Sequence, residues 1–289
     1  MGAFLSYMMK VAIQGFRGSY HEIATYKYFG ERQNLNLIEC DSFVEFFKQL
    51  ERNNDSYGIM AIENTVAGTL LPNYMHLLGS KMQIVGEVYL RIEHFLLTLP
   101  QNELSNISEV HSHPMALLQC LEFFKPYPNI RLVETTDTAL SAQKLKSGET
   151  DNIAVIASQL AAEMYGLKIL ERGIETNSRN FTRFLVLHSA TDENENDSAN
   201  FNKASLNFHL KHEIGSLANV LAKFSKHNVN LTKIQSVPVI GQEWEYSFIV
   251  DVVFDDINQF NKAINDIKIH LSNLRLLGKY VSGRKYRRV

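Results

Sequence analysis

Between Asn177 and Leu187 the chain reads Asn-Ser-Arg-Asn-Phe-Thr-Arg-Phe-Leu-Val-Leu. A threonine hydroxyl donates one hydrogen bond and accepts others, and an arginine fork takes a carboxylate through two bonds at once. Phe184 to Leu187 is an apolar run of strand length. Thr182 and Arg183 therefore stand at the mouth of a buried strand and point to opposite sides of it. Such a pair suits a small anionic ligand, with one residue as donor and the other as clamp. The same segment also reads as an ordinary approach to a strand with a surface arginine.

Other polar groups recur where strands end. Lys10 to Gln14 runs into Gly15-Phe16-Arg17-Gly18-Ser19-Tyr20, and Ser19 with Glu22 forms a capping box that opens a helix to Phe29. The glycines permit close backbone approach, and the helix's first N–H groups suit an anion, but the spacing matches neither a dinucleotide fingerprint nor a P-loop. Ser42 and Glu45 repeat the capping box before an apolar face of Phe43, Phe46, Phe47 and Leu50. A strand from Tyr57 to Ile62 ends in Glu63-Asn64-Thr65-Val66-Ala67-Gly68, and a helix follows to Leu78. A third transition is Val110-His111-Ser112-His113-Pro114, with Leu117, Leu118, Leu121 and Phe124 as the buried helical face. In a fourth, Ile153 to Ala157 meets Ser158, which caps a helix ended by Gly166. Four such units predict an α/β domain with a largely parallel sheet, whose ligands lie beyond the carboxyl ends of the strands. Asn64, Ser112 and the Ser19 turn all stand there. His111, His113 and Cys120 lack the further ligands that zinc needs, so no metal is expected.

The totals exclude several classes. With 289 residues the chain has room for two domains, and 45% hydrophobic with 21% charged residues is ordinary for a globular protein. A net charge of −2 argues against nucleic-acid and anionic-membrane partners; Arg284, Lys285, Arg287 and Arg288 read as a solvated basic tail. Two cysteines make no disulfide framework, and no apolar run spans a bilayer, which together predict a cytoplasmic protein. Met1 to Ser6 fits an N-myristoylation pattern, but Met8 and Met9 lie just before the first strand, and an alternative start or a short extension is the preferred reading.

Asp192 to Asn200 keeps no apolar period and reads as a linker. After it come a strand at Ala204 to Leu210 and a helix opened by Gly215-Ser216-Leu217 with Val220, Leu221 and Phe224 on one face. Strands at Leu231 to Ile240 and Trp244 to Phe254 join near Gly241. A second helix is striped by Ile257, Phe260, Ile264, Ile267 and Leu271, and a last strand covers Leu274 to Val281. This βαββαβ order predicts a ferredoxin-like domain suited to binding or regulation rather than chemistry.

Taken together, these motifs resemble the prephenate dehydratase family. The resemblance rests on Gly15-x-x-Gly18-Ser19-Tyr20, Ile62-Glu63-Asn64-Thr65 with Gly68, Ser112-His113-Pro114 through Gln119-Cys120, and above all Asn180-Phe181-Thr182-Arg183-Phe184. It implies a two-lobed, periplasmic-binding-protein-like catalytic domain over residues 10–190, with lobe one at 10–84 and 173–190 and lobe two at 85–172. An ACT domain is implied over 201–289. Catalysis falls to Thr182, Arg183, Asn64, Ser112 and Gln119, with Ser19, Glu63, Thr65 and Phe184 as substrate contacts. Glu63 could instead position Arg183 or a water, since a free carboxylate facing a dianion would repel it. No cofactor is implied. The partners are prephenate, phenylalanine as effector at Gly215, Ser216, Leu217, Asn230 and Leu231, and further copies of the chain in a homodimer or homotetramer. Too few residues precede Lys10 for a fused chorismate mutase domain, so the monofunctional form is expected. Arogenate dehydratase and a non-catalytic sensor of aromatic acids are the alternatives. Two departures stand out: Met115 replaces the family's glutamine, and Gln235-Ser236-Val237-Pro238 replaces its Glu-Ser-Arg-Pro.

Overall fold

The structure, a computed structural model, describes residues 8–30, 34–148, 151–189, 201–210, 213–239 and 246–283. The expected linker at 192–200, the turn at Gly241, Trp244, the basic tail and the N-terminal pattern lie outside the described residues. The chain forms two compact units. One comprises Met1–Lys81 with Val88–Ser189, the other Met82–Glu87 with Ala190–Val289.

The elements of the first unit begin with β1 (Met9–Gln14), α1 (Tyr20–Phe29), β2 (Leu35–Cys40), α2 (Phe43–Arg52), β3 (Tyr57–Asn64), β4 (Gly68–Thr69) and α3 (Leu71–Gly79). Strand β5 (Met82–Arg91) then leads to β6 (Phe95–Thr98), β7 (Glu109–Ser112), α4 (Pro114–Gln119), α5 (Leu121–Phe124), β8 (Arg131–Glu134), α6 (Thr138–Ser147), β9 (Ile153–Ala157), α7 (Gln159–Tyr165), β10 (Lys168–Arg172) and β11 (Phe181–Ser189). They build two sheets. The first runs β2-β1-β3-β11-β5 with β4 on β3, and the second runs β10-β6-β9-β7-β8. The chain passes from the first sheet to the second after β5 and returns between β10 and β11, giving two α/β lobes joined by two crossovers, the plan of a periplasmic binding protein.

The sheets are mixed, which corrects the expectation of largely parallel ones. Where a strand–helix–strand unit builds the sheet, as for β1 with β2 and β3 or β7 with β8 and β9, the pairs are parallel. Strands next to the crossovers arrive from the other sheet and pair antiparallel, as β11 does with β3 and β6 does with β9 and β10.

Local signals place the helices. Ser19, Ser42 and Ser158 each cap a helix through the side-chain oxygen, and Gly166 ends α7 in the left-handed conformation at φ 62°. The box at Ser19 is only half closed. Glu22 receives Gly18 N–H and pairs with Arg17 instead of reaching back to Ser19. Gly18 sits at φ 89°, and a Cβ there would lie 3.0 Å from the Ala161 backbone. The close approach foreseen for these glycines is thus to helix α7 at Gly18 and to the Asp137 side chain at Gly15. The helix expected after Pro114 breaks at Cys120 (φ −109°, ψ 7°), so the apolar face does not run through. Leu117 and Phe124 are buried, while Leu118 and Leu121 are 57% and 44% exposed.

In the second unit, β12 (Lys203–Leu210), α8 (Ser216–Lys226), β13 (Asn230–Pro238), β14 (Tyr246–Val253), α9 (Ile257–Lys268) and β15 (Leu271–Tyr280) follow the expected βαββαβ order. The antiparallel sheet runs β13-β14-β12-β15, as in ferredoxin-like folds. Leu206, Phe208, Val220, Phe224, Val250, Phe260 and Ile267 are among its core residues. Leu271 opens β15 instead of closing the helical stripe, yet still packs on this core. Residues Met82–Glu87 belong to this unit too: a Cβ on Gly278 would meet the Ile84 carbonyl at 2.0 Å. Glu87 takes Lys203 Nζ at 3.0 and 2.9 Å in a fully buried ion pair.

Candidate active site

Strands β3 and β11 bring together residues more than a hundred positions apart. Their register sets Thr182 opposite Asn64 and Arg183 opposite Glu63, with an irregularity just after Arg183. Asn64 is held by its own turn, since its Oδ1 accepts the Val66 and Ala67 N–H groups at 2.8 Å each. Its Nδ2 then has to face the other way, donating to Asn180 Oδ1 at 2.7 Å and Thr182 Oγ1 at 2.9 Å. Asn180 Nδ2 passes the chain on to Gln119 Oε1 at 2.9 Å, and His94 Nε2 meets the same oxygen at 2.8 Å. Beyond His94, its Nδ1 lies 2.9 Å from the Tyr20 hydroxyl. Thr182, Asn64 and Asn180 are 7%, 8% and 1% exposed, so most of this chain is shielded from water.

Burial holds His94 below the usual imidazole range, against the opposing pull of Gln119 and Glu175, and lifts the Tyr20 phenol above its own. His94 is therefore neutral at physiological pH. Its backbone N–H donates to Glu175 Oε2 at 2.9 Å, and Arg91 lies 3.4 Å from the other oxygen. A cavity of about 280 Å³ opens beside the network, lined by Gln119, Asn180, Glu175, Glu122 and the exposed Leu118 and Leu121 among others. Among the described residues its lining contains no Lys or Arg.

Of the residues singled out from the sequence, Asn64, Thr182 and Gln119 thus share one network. Arg183 is buried and forms an ion pair with Glu63, Nη1 to Oε2 at 3.7 Å, the structural alternative left open for both residues. The remaining candidates sit elsewhere. Ser112 is fully buried, and its hydroxyl donates to the Ile156 carbonyl at 2.7 Å, which leaves it no proton for a substrate. Phe184 belongs to the core, 1% exposed and packed edge-on against His21 at 5.1 Å. The Thr65 hydroxyl pins the β11 approach, donating to Arg179 O and accepting from Phe181 N–H. Ser19 serves as the α1 cap.

Sequence reasoning assigned no role to Asn180, His94, Tyr20 or Glu175. Asn180 stood inside the quoted motif, so proximity to Thr182 was the available signal. His94 sits before the apolar run Phe95–Leu99 and reads there as an ordinary core histidine. Among the described residues no three His, Cys, Asp or Glu converge as a metal site. His111 pairs with Glu109 at 2.8 Å, and His113 Nδ1 caps α4.

Known proteins bear on this arrangement. The sequence matches the prephenate dehydratase family over residues 11–192 and the ACT domain over 204–265. It is 32% identical over 278 residues to the bifunctional chorismate mutase/prephenate dehydratase of Escherichia coli strain K12, covering 94% of this chain and 71% of that one. It is 35% identical over 292 residues to arogenate dehydratase 1 of Petunia hybrida, covering 94% and 66%. The crystal structure of the Arthrobacter aurescens prephenate dehydratase in complex with L-Phe has the same fold, with a TM-score of 0.86 at 24% identity, covering 97% of this chain and 92% of that one. With the motif match spanning both lobes and the relatives aligned along nearly the whole chain, the protein belongs to the prephenate dehydratase family, with an ACT domain in its second unit.

Proposed function

We propose that the protein converts prephenate to phenylpyruvate, with Thr182 as the donor to the departing hydroxyl. One observation carries the assignment of Thr182. Asn64 donates into Thr182 Oγ1, and a hydroxyl has a single proton, so that proton is directed away from Asn64. Among the described residues no protein acceptor takes it. A donor preorganised in a water-poor site and aimed at developing negative charge is the kind of group that lowers such a barrier most.

In the reaction the bond from the ring to its carboxylate carbon breaks and carbon dioxide leaves. The freed electron pair becomes a ring double bond, while the carbon–oxygen bond on the opposite side breaks. The departing hydroxide takes up a proton and leaves as water. Aromatisation drives the sequence, so the protein needs chiefly to hold the substrate and stabilise the leaving oxygen. An alcohol is a feeble acid; Thr182 therefore acts by hydrogen bonding, with the proton supplied by water. Gln119, whose Nε2 has no protein acceptor among the described residues, offers N–H groups to the substrate's oxygens. Arg183 acts on this reading as a cation held in place by Glu63, close to Thr182 in the strand.

Phenylalanine is the effector, bound in the ACT domain of a dimer or tetramer. Gly215 caps the 11-residue helix α8 in the left-handed conformation, and among the described residues nothing lies within 4 Å of a Cβ placed there. Of the first-turn N–H groups that of Leu217 suits a carboxylate, whereas the Ser216 N–H donates to the Glu213 carbonyl at 3.2 Å; exposed Asn230 with half-buried Leu231 begins the adjoining strand. Calorimetric titration tests this part: saturable phenylalanine binding with loss of turnover is expected, and no binding up to millimolar concentration would refute it.

Arogenate is the second reading. The two carboxylates lining the cavity, Glu122 and Glu175, offer acceptors to an ammonium group, although each already pairs with a cation, Lys125 at 2.7 Å and Arg91 at 3.4 Å. The deciding experiment gives purified protein each substrate in turn and follows phenylpyruvate and phenylalanine. Faster turnover of arogenate would reassign the substrate, and turnover of neither would refute the enzymatic reading.

A further inference from the structure

We propose that His94 is a positioning residue for this reaction, acting through Gln119 by locking its amide so that the N–H groups, and not the carbonyl, meet the substrate. The proposal rests on the dehydratase reading in one respect: Gln119 is taken to touch the substrate.

The proton positions follow from one end of the network. Backbone N–H groups only donate, so the Asn64 atom receiving Val66 and Ala67 is its oxygen. Its other terminal atom is then the nitrogen, which obliges Asn180 to present oxygen to it and nitrogen to Gln119. Gln119 must meet that nitrogen with its oxygen. His94 Nε2, 2.8 Å from the same oxygen, consequently carries a hydrogen. With His94 buried and neutral, the proton on Nε2 leaves Nδ1 bare, and the single Tyr20 phenol proton is divided between Nδ1 at 2.9 Å and the Glu93 carbonyl at 2.8 Å. Every orientation from the Val66 turn to the imidazole is thus determined.

Two donors on one Gln119 oxygen hold the amide more firmly than one. With Asn180 alone, rotation that turns the Gln119 carbonyl outward is opposed by a single bond. With His94 added, the same rotation sets N–H against N–H at two places. The side chain of His94 is 2% exposed and lies behind Gln119, so its effect on the substrate is indirect.

The test combines activity with a readout that does not depend on it. His94→Phe removes the donor and should lower kcat roughly tenfold, the scale of one hydrogen bond. His94→Gln places an amide N–H at a similar reach and should restore most of the loss. In a Gln119→Ala background, His94→Phe should cause no further loss. Equal losses in both backgrounds would show a merely structural residue and overturn the proposal. Independently, nitrogen NMR of labelled imidazole at neutral pH should find His94 with its proton on Nε2. A proton on Nδ1 would overturn the proposal while leaving the dehydratase reading intact. Absence of turnover in the wild-type protein would refute that reading, and the tautomer would still decide the network.

Discussion

Replacing Asn64 with aspartate turns two donors into acceptors at nearly constant size. The oxygen that receives Val66 and Ala67 N–H is preserved, and its charge strengthens both bonds, so the turn should survive. The second carboxylate oxygen arrives 2.9 Å from Thr182 Oγ1 and 2.7 Å from Asn180 Oδ1. Thr182 would then turn its proton inward, and Asn180 would have to rotate, breaking the bond to Gln119. Thr182 thereby ceases to donate to the leaving oxygen, and loss of one preorganised donor lowers kcat by about 10²–10³. Asn64→Ala leaves the Thr182 proton unclaimed, so alanine should be the milder change despite being the larger truncation. Protonating the new carboxyl restores a donor, and the aspartate variant should regain activity as pH falls. Steady-state phenylpyruvate formation, with thermal unfolding as the check on folding, measures all three. An aspartate variant faster than the alanine variant would refute the direction assigned to these hydrogen bonds.

Other consequences concern stability. Lys203→Met removes the cation from the buried Glu87 carboxylate, which keeps only neutral donors such as Gly283 N–H and the Ser282 hydroxyl, and should cost about 3–5 kcal/mol in urea unfolding, whereas pairing it with Glu87→Leu should recover much of that loss. Burial lowers His21 to about 4 from 6.5, and its Nε2 accepts the Ala61 N–H. The unfolded chain therefore binds a proton that the folded one refuses, so this contribution is intact above pH 6.5 and lost as pH falls toward 4, about 3 kcal/mol in all. His21→Gln should flatten that limb of a stability-against-pH curve. Gly18→Ala has both φ 89° and the Ala161 backbone against it, and should destabilise by roughly 1–3 kcal/mol, read as a fall in Tm.

The parts of the fold legible in the sequence were those set within a few residues. Ser158 and Gly166 bracket α7 because a cap oxygen and a left-handed glycine act on their own turn. The βαββαβ order of the second unit followed from helix spacing that its sheet respects. Leu118 and Leu121 were misplaced because periodicity assumes an unbroken helix, and Cys120 interrupts it. The direction of β11 and β6 depends on which sheet the chain comes from, a non-local fact. At the site, the motif supplied Thr182 and Asn64 but not their relation. Asn64 reaches Asn180 across 116 positions and His94 reaches Gln119 across 25, and no local pattern in a single sequence records such pairings. Phe184 and Ser112 illustrate the converse, since residues within a motif serve the packing that presents it.

The central claim is that Thr182 donates to the leaving hydroxyl of prephenate, and single-turnover formation of phenylpyruvate tests it most directly. The wild-type protein should form phenylpyruvate and carbon dioxide in equal amounts. Thr182→Ala should slow the chemical step roughly 10²-fold or more with its fold unchanged, while Thr182→Ser, which keeps the hydroxyl, should retain much of the rate. A Thr182→Ala protein that forms phenylpyruvate at close to the wild-type rate would contradict the account.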